Sequence, residues 1–246
     1  MIDAGALIGA VLPDGVAAAG SYGDPPGVEL FPAEQEAIRT SVDKRRREFT
    51  TARHCARLAL AELGLPPAAI VPGRNREPQW PAGVVGSMTH CDGYRAAAVA
   101  RSEDFSSLGI DAEPHEPLPE GVLPTIACPE ELPYLSALGE ASPEVHWDRL
   151  LFSAKESVYK TWFPLARCWL GFDEATIEFE RADTSDAADT DDLGALAPTF
   201  AGVFTATLLQ TGLSLGGQPV TQLTGRWLIR NGLVITAISL SSALCV

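Results

Sequence analysis

Asp111 and Glu113 close an apolar run, Gly109-Ile110-Asp111-Ala112-Glu113, with one residue between them. If the run is a strand, side chains at i and i+2 leave the same face. The two carboxylates can then reach one hard cation, which prefers oxygen ligands. A charged opening to a loop would use the same two acids. Further on, Phe152-Ser153-Ala154-Lys155-Glu156-Ser157-Val158-Tyr159-Lys160 places Glu156 and Lys160 one helical turn apart, facing the same way. A surface ion pair needs no more than that. Leu150, Leu151, Trp162 and Phe163 flank the segment, however, and charges amid apolar surface more often have a specific partner. A third segment, Gly86-Ser87-Met88-Thr89-His90-Cys91-Asp92-Gly93-Tyr94, ends a strand with a small hydroxyl residue and then a histidine at a tight turn. Such a histidine can give phosphate a hydrogen bond, or sit satisfied in a core.

Basic residues are concentrated in one place. Seven of the 18, from Arg39 to Arg57, fall in one stretch of a chain whose net charge is −14 and whose pI is near 4.6. So acidic a surface repels nucleic acid as a whole. One basic patch within it suits a local anion, or a solvated helix face. On a continuous helix Arg46 and Arg53 would differ by about 20°, with Arg57 about 40° further on.

The elements that must position these groups follow from periodicity. Ile38, Val42, Phe49, Ala52, Ala56, Ala59 and Leu63 recur at helical steps and predict a helix over 34–64, ended by Gly64 and Pro66-Pro67. Residues 71–83 are rich in Pro, Gly and Arg and read as a loop. Strands are predicted at Val84–His90 and Tyr94–Arg101, joined by the hairpin turn Asp92-Gly93, and at Leu108–Ala112. An irregular stretch at 113–128 precedes a helix at Pro129–Leu138, with Glu130 and Glu131 in its first turn where acids suit the dipole. A long helix over Glu144–Trp162 is stopped by Pro164. Strands follow at Phe172–Phe179, Phe200–Leu209, Gly225–Ile229 and Leu233–Leu240, with a mobile acidic loop expected at 181–196. Helix-then-strands thus occurs twice, with a break near residue 109. The class is α+β, with lobes at 1–108 and 109–246.

Composition bounds the rest. The chain has 246 residues, 46% of them hydrophobic, ample for a real core. No stretch is apolar enough to span a bilayer, and the start lacks the positive charge of a secretory signal. The five cysteines are odd in number and form no C-x-x-C, so a reducing cytosol fits better than a disulfide framework. His54-Cys55 and His90-Cys91 lack the paired spacing of a structural zinc site, and the acidic loop lacks that of a calcium loop.

In this order and spacing, G-I-D-x-E and F-x-x-K-E-S-x-x-K resemble the signature of the 4'-phosphopantetheinyl transferase superfamily. The G-S-x-T-H-C-x-G-Y segment and the R-R-x-E-F-x-x-x-R-H-C-A-R helix resemble its full-length, enterobactin- and surfactin-type branch, which serves siderophore, polyketide and nonribosomal peptide pathways. The likeness runs from about Glu34 to Thr176. It implies two similar α+β lobes related by a pseudo-two-fold, with coenzyme A in the cleft between them. It implies a soluble cytoplasmic monomer that moves the phosphopantetheine arm onto a serine of an acyl or peptidyl carrier protein, with no nucleic acid or membrane as partner. Asp111, Glu113 and Glu156 would hold Mg²⁺ or Mn²⁺ on the pyrophosphate, with Glu156 as base. Lys155 and Lys160 would neutralise phosphate charge. His90 would contact phosphate beside Thr89, and Arg45 and Arg53 would clamp the 3'-phosphate. Arg76 and Pro78 would line the adenine pocket. Where many members carry Lys or Gly before that proline, this chain has Glu77, and Arg74 or Arg76 would supply the basic group instead. The carrier is expected against Trp162–Leu170, with Trp169 and Arg167 facing out and Trp162 and Phe163 packed beneath.

Overall fold

The computed structural model describes residues 4–182, 200–215 and 217–242. All but the first two residues of the expected acidic loop at 181–196 lie outside them. In chain order the elements are α1 (Ala4–Gly9), β1 (Ala17–Tyr22), α2 (Pro32–Ala37), α3 (Asp43–Glu62), β2 (Val84–Cys91), β3 (Tyr94–Arg101) and β4 (Phe105–Pro114). They continue with α4 (Leu123–Ile126), α5 (Glu131–Ala141), α6 (Trp147–Ala166), β5 (Ala175–Arg181), β6 (Phe200–Leu208), β7 (Ser214–Leu215), β8 (Gln218–Pro219), β9 (Gln222–Arg230) and β10 (Leu233–Ser241). The class is α+β, as the alternation of patterns indicates.

The strands form a three-stranded sheet ordered β1-β3-β2, a five-stranded sheet ordered β4-β10-β9-β6-β5 and the small pair β7-β8. Asp92-Gly93 makes the β2–β3 turn, with Cys91 opposite Tyr94 and Gly93 at φ 75°. The chain passes from one sheet to the other at 102–104, so residue 109 lies inside β4 rather than at a boundary. The two sheets meet along β2 and β4 through hydroxyls in place of a backbone ladder. Ile110 N–H donates to Ser87 Oγ at 3.1 Å and Ala112 N–H to Thr89 Oγ1 at 3.0 Å.

Each sheet carries one twenty-residue helix. α3 packs on the first through Cys55, Ala56, Ala59 and Leu60 against Ala97 and Val99. α6 packs on the second through Leu150, Leu151, Ala154, Val158 and Trp162 against Phe204, Trp227 and Ile238. A third cluster, led by Leu7 and Ile8 of α1, joins Ala96 and Ala98 of β3 to Ile110 and Ile235 of β4 and β10. α1 and β1 have no counterpart in the sequence reading, because Ala17–Tyr22 is too rich in Ala and Gly to alternate visibly.

Two helices differ from expectation. The predicted helix 34–64 is broken between α2 and α3, where Thr40-Ser41-Val42 combines two β-branched residues with a serine. Such residues lose rotamer freedom or bond locally and so favour a break. Pro164 does not stop α6, which runs on to Ala166. The proline forgoes only its own N–H within the last turn. The stop comes from Arg167, in the left-handed region at φ 54°, whose N–H donates to the Phe163 carbonyl at 2.9 Å. At the other sheet edge, Phe172–Glu174 is a 3₁₀ turn and the strand begins at Ala175.

Candidate active site

Strand alternation sorts β4 into two faces. Leu108, Ile110 and Ala112 enter the core shared with α1. Ser107, Gly109, Asp111 and Glu113 face α6. Ser107 Oγ donates to the Thr161 carbonyl at 2.8 Å. A Cβ on Gly109 would collide with the Ser157 carbonyl and the Thr161 hydroxyl, so the helix can lie this close only on glycine. Ser153 and Ser157 meet Thr236 of β10 at 2.9 and 2.6 Å, completing a buried seam of hydroxyls that seats α6. Seated there, Lys160 Nζ reaches the Ile110 carbonyl at 3.1 Å and Asp111 Oδ1 at 2.7 Å.

Asp111 is buried. Its Oδ1 also accepts from Thr89 Oγ1 at 3.1 Å, while its Oδ2 has no protein partner. Burial, then repulsion by Asp111, pushes the Glu113 carboxyl up to about 7, against the pull of Arg149, whose Nη1 donates to Glu113 Oε2 at 3.1 Å. Burial also raises Glu156, with Asp111 adding to it and Lys160 opposing it. Burial disfavours the charge on Lys160, but Asp111, Glu156 and Glu113 together raise its proton affinity above the ordinary lysine value. Among the described residues no three His, Cys, Asp or Glu side chains converge closely enough to hold a metal as they stand.

Glu156 and Lys160 open into a cavity of about 810 Å³ whose other wall is α3, the loop at 72–80 and β2. Arg53 lies there almost fully buried, its guanidinium 3.3 Å from the centre of the Phe49 ring and its Nε donating to the Ile70 carbonyl at 3.1 Å. Burial pulls its pKa down to about 9. Arg45 Nη1 donates to His90 Nε2 at 2.9 Å, which leaves the neutral ring's proton on Nδ1. Burial and then Arg45 lower the His90 pKa, while Glu48, 3.5 Å away, opposes them. The cavity therefore joins a desolvated Arg53, an exposed Arg45 and His90 on one side to Glu156 and Lys160 on the other, with Asp111 and Glu113 behind Lys160, an arrangement for a polyanion and a cation together.

The family model of the 4'-phosphopantetheinyl transferase N-terminal domain matches residues 33–100, and that of the 4'-phosphopantetheinyl transferase superfamily matches residues 107–206. The 4'-phosphopantetheinyl transferase PptT of Mycobacterium tuberculosis is 48% identical over 96% of this chain and 99% of its own. The chain belongs to the 4'-phosphopantetheinyl transferase superfamily. Two further members are similar over nearly the whole chain. Npt of Nocardia iowensis is 51% identical over 95% of this chain and 99% of its own. Svp of Streptomyces mobaraensis is 48% identical over 96% of this chain and 90% of its own.

Of the residues that the superfamily's motifs point to, Arg45, Arg53, Arg76, Pro78, His90, Glu156 and Lys160 line the large cavity, and Asp111 and Glu113 stand beside Lys160. Two others do not serve the role expected. Lys155 faces away from the cavity, its buried ammonium donating to Glu131 Oε2 at 2.6 Å, the Phe172 carbonyl at 2.7 Å and the Ile126 carbonyl at 2.8 Å. So committed, it is not free to neutralise phosphate. Glu131 in turn caps the start of α5 by accepting from Cys128 N–H at 2.7 Å, so it is not simply a surface acid on the helix dipole. Thr89 is buried, its hydroxyl spent on Asp111 and Ala112, and it supports the acid rather than reaching a ligand.

The three arginines expected on one side of a single helix also separate. Arg46 bonds the Arg39 carbonyl, and Arg57 pairs with buried Glu34 at 3.1 Å, so only Arg53 of the three reaches the cavity. In the loop, Arg76 is left-handed at φ 69°, and Glu77 ties the turn by accepting from Asn75 N–H at 2.9 Å. Arg167 does not simply face out. It lines the cavity and stands 3.7 Å from Glu77. Trp162 and Phe163 are buried and Trp169 is exposed, as expected. Sequence reasoning passed over Arg149, which was within reach of helical spacing, being two turns before Glu156, and it gave no role to Glu48, which stands in the R-R-x-E-F motif.

Proposed function

We propose that this chain transfers the 4'-phosphopantetheine arm of coenzyme A to a serine hydroxyl of acyl or peptidyl carrier proteins, releasing 3',5'-ADP. One observation carries the reading: a single cavity joins Arg45 and Arg53 of α3 and His90 of β2 to Glu156 and Lys160 of α6. Coenzyme A brings a pyrophosphate and a 3'-phosphate, and such a ligand would relieve the burial of Arg53. Arg53, Arg45 and His90 Nδ1–H would clamp the 3'-phosphate, with Arg76 and Pro78 along the adenine. Lys160 would neutralise charge on the pyrophosphate. A second cavity of about 210 Å³, lined by Tyr159, Trp169, Leu170 and Phe172, shares Glu156 and Tyr159 with the first and would take the pantetheine arm.

Asp111, Glu113 and Glu156 would hold Mg²⁺ or Mn²⁺. Their chemistry suits such an ion, because they are hard oxygen donors, Asp111 Oδ2 is buried without a partner, and Asp111 raises the proton affinity of both glutamates, although the three side chains do not converge on one point as they stand. Once bound, the ion supplies charge stabilisation at the pyrophosphate. The serine oxygen attacks the phosphorus that bears pantetheine, and the bond from that phosphorus to the bridging oxygen breaks. Glu156, an ionised carboxylate whose proton affinity burial raises, takes the serine proton. Fixed cations meet the charge that builds on the departing 3',5'-ADP.

We read the molecule as a monomer of two lobes related by a pseudo-two-fold, divided at 102–104, a few residues before the break expected near 109. The pairing of one twenty-residue helix with each sheet supports this. The near-complete cover of full-length relatives supports the full-length branch. No helix among the described residues is long and apolar enough to cross a membrane, which accords with a cytoplasmic enzyme. Incubation with coenzyme A, Mg²⁺ and an apo carrier protein should raise the carrier's mass by one phosphopantetheine and release 3',5'-ADP. Unchanged mass across acyl and peptidyl carriers would overturn the assignment.

A further inference from the structure

Arg149 stands on α6 seven residues before Glu156, so the two share a helix face to within about 20°. Every nitrogen of its guanidinium is engaged. Nη1 donates to Glu113 Oε2 at 3.1 Å, Nε to the Glu116 carbonyl at 3.0 Å and Nη2 to the Pro117 carbonyl at 2.9 Å. Next to it, Asp148 Oδ2 accepts from Leu118 N–H at 2.7 Å. The chain leaving β4 is thereby pinned to the first turn of α6. One helix thus meets the two acids of β4 with one cation each, Lys160 on Asp111 and Arg149 on Glu113. The two cations are not equivalent. Lys160 lines the large cavity, whereas Arg149 stands outside it with its side chain 14% exposed.

We propose that Arg149 is a positioning residue for the divalent ion. It grips one oxygen of Glu113 and both carbonyls of the following turn, and so holds the carboxylate beside Asp111. A planar fork with three anchored nitrogens fixes a carboxylate in a way that a lysine cannot. Partners of this kind orient metal ligands and typically change metal affinity by about 10–100-fold. The inference rests on the reading of Asp111, Glu113 and Glu156 as ion ligands.

The test is Mn²⁺ titration with free ion counted by electron paramagnetic resonance, on wild type, Arg149→Lys, Arg149→Met and Glu113→Gln, with melting temperatures alongside. Wild type should bind one ion. Both Arg149 variants should bind it on the order of tenfold more weakly, with Lys the milder, and kcat at saturating Mn²⁺ should return to within a few-fold of wild type. In a Glu113→Gln background, Arg149→Lys should weaken Mn²⁺ no further. Unchanged Mn²⁺ affinity in Arg149→Lys overturns the positioning role, whatever the melting temperature does. The same additional loss with and without Glu113 overturns it too, by placing the effect elsewhere. Wild type that binds no Mn²⁺ overturns the ligand reading itself, and the positioning role with it.

Discussion

The two helices that face the large cavity are seated by different means and bring opposite charge. α3 rests on an apolar surface, Ala56 and Ala59 against Ala97 and Val99, with hydrogen bonds from Thr51, Arg53 and Cys55 along its margin. α6 rests on Gly109 and a seam of Ser107, Ser153, Ser157 and Thr236, where hydrogen bonds set it. From α3 and β2 come Arg45, Arg53 and His90, with Glu48 beside His90 and Glu34 acting on Arg53; from β4 and α6 come three acids with Lys160 among them. Each side is electrostatically costly by itself. Burial pulls the proton affinity of Arg53 down, and burial with repulsion by Asp111 pushes Glu113 and Glu156 up. On the proposed reading, a phosphate-rich ligand would relieve the first side and a divalent ion the second. The seam also teaches which half is the more exacting. A shift of α6 breaks the buried hydroxyl seam against β4 and β10, whereas a shift of α3 slides its alanine face over β3 and loses the bonds of Thr51, Arg53 and Cys55 at its margin.

The comparison breaks most sharply at Asp111. Asp111→Ala removes the acid that Lys160 and Thr89 both hold, and transfer should fall by a hundredfold or more, on the order of 3 kcal/mol of barrier. Steady-state transfer to a carrier protein measures it, and turnover within a few-fold of wild type would remove the acid side from the chemistry. Next comes Gly109→Ala, which drives a methyl group into the Ser157 carbonyl. Overpacking of this kind costs about 1–3 kcal/mol, and the displaced α6 should lower kcat as well. A variant that melts and turns over like wild type would show that the seam does not set the helix.

Arg53→Ala tests the cationic side. It should weaken coenzyme A by about 1.5–3 kcal/mol and dephospho-coenzyme A much less, as read by calorimetry. Equal losses for both would move the 3'-phosphate away from α3. The acid side can be sharpened by pH. In the metal-free fold Glu113 titrates near 7 rather than at 4.5. The folded state then keeps a proton that the unfolded chain has released, so this group's contribution to stability falls as pH rises from about 4.5 to 7. The melting temperature of Glu113→Gln relative to wild type should therefore climb across that window. A flat difference would mean that Arg149 already holds Glu113 ionised in the empty site. The smallest effect is expected at Arg167, which is mostly exposed and joins the two halves only through Glu77 at 3.7 Å. Such a pair is worth about 0–1 kcal/mol, so Arg167→Ala should move the Michaelis constant for coenzyme A by a few-fold at most. A larger change would make the Glu77–Arg167 contact a working part of the cavity mouth.

Local periodicity was enough to read much of the site. The two-residue period of β4 puts Asp111 and Glu113 on one face, the four-residue step puts Glu156 beside Lys160, and Asp92-Gly93 marks the hairpin that carries His90. These relations are set by backbone geometry within a few residues, and the motifs they form led to the family. What periodicity cannot supply is the partner that covers each face. Lys155 and Lys160 sit on the same helix among the same acids, yet one is consumed by Glu131, 24 residues earlier, and the other by Asp111. The helix break at Thr40-Ser41-Val42, the passage of α6 through Pro164, and the added α1 and β1 are likewise decided by packing, which overrides weak local preferences. Glu34, buried against Arg57 and the Ile70 N–H, and Arg149, closed over Glu113, take partners 23 to 36 residues away that helical spacing does not name. Their roles arise only when segments distant in sequence are brought within hydrogen-bond reach, because a buried charge is defined by the groups the fold places around it.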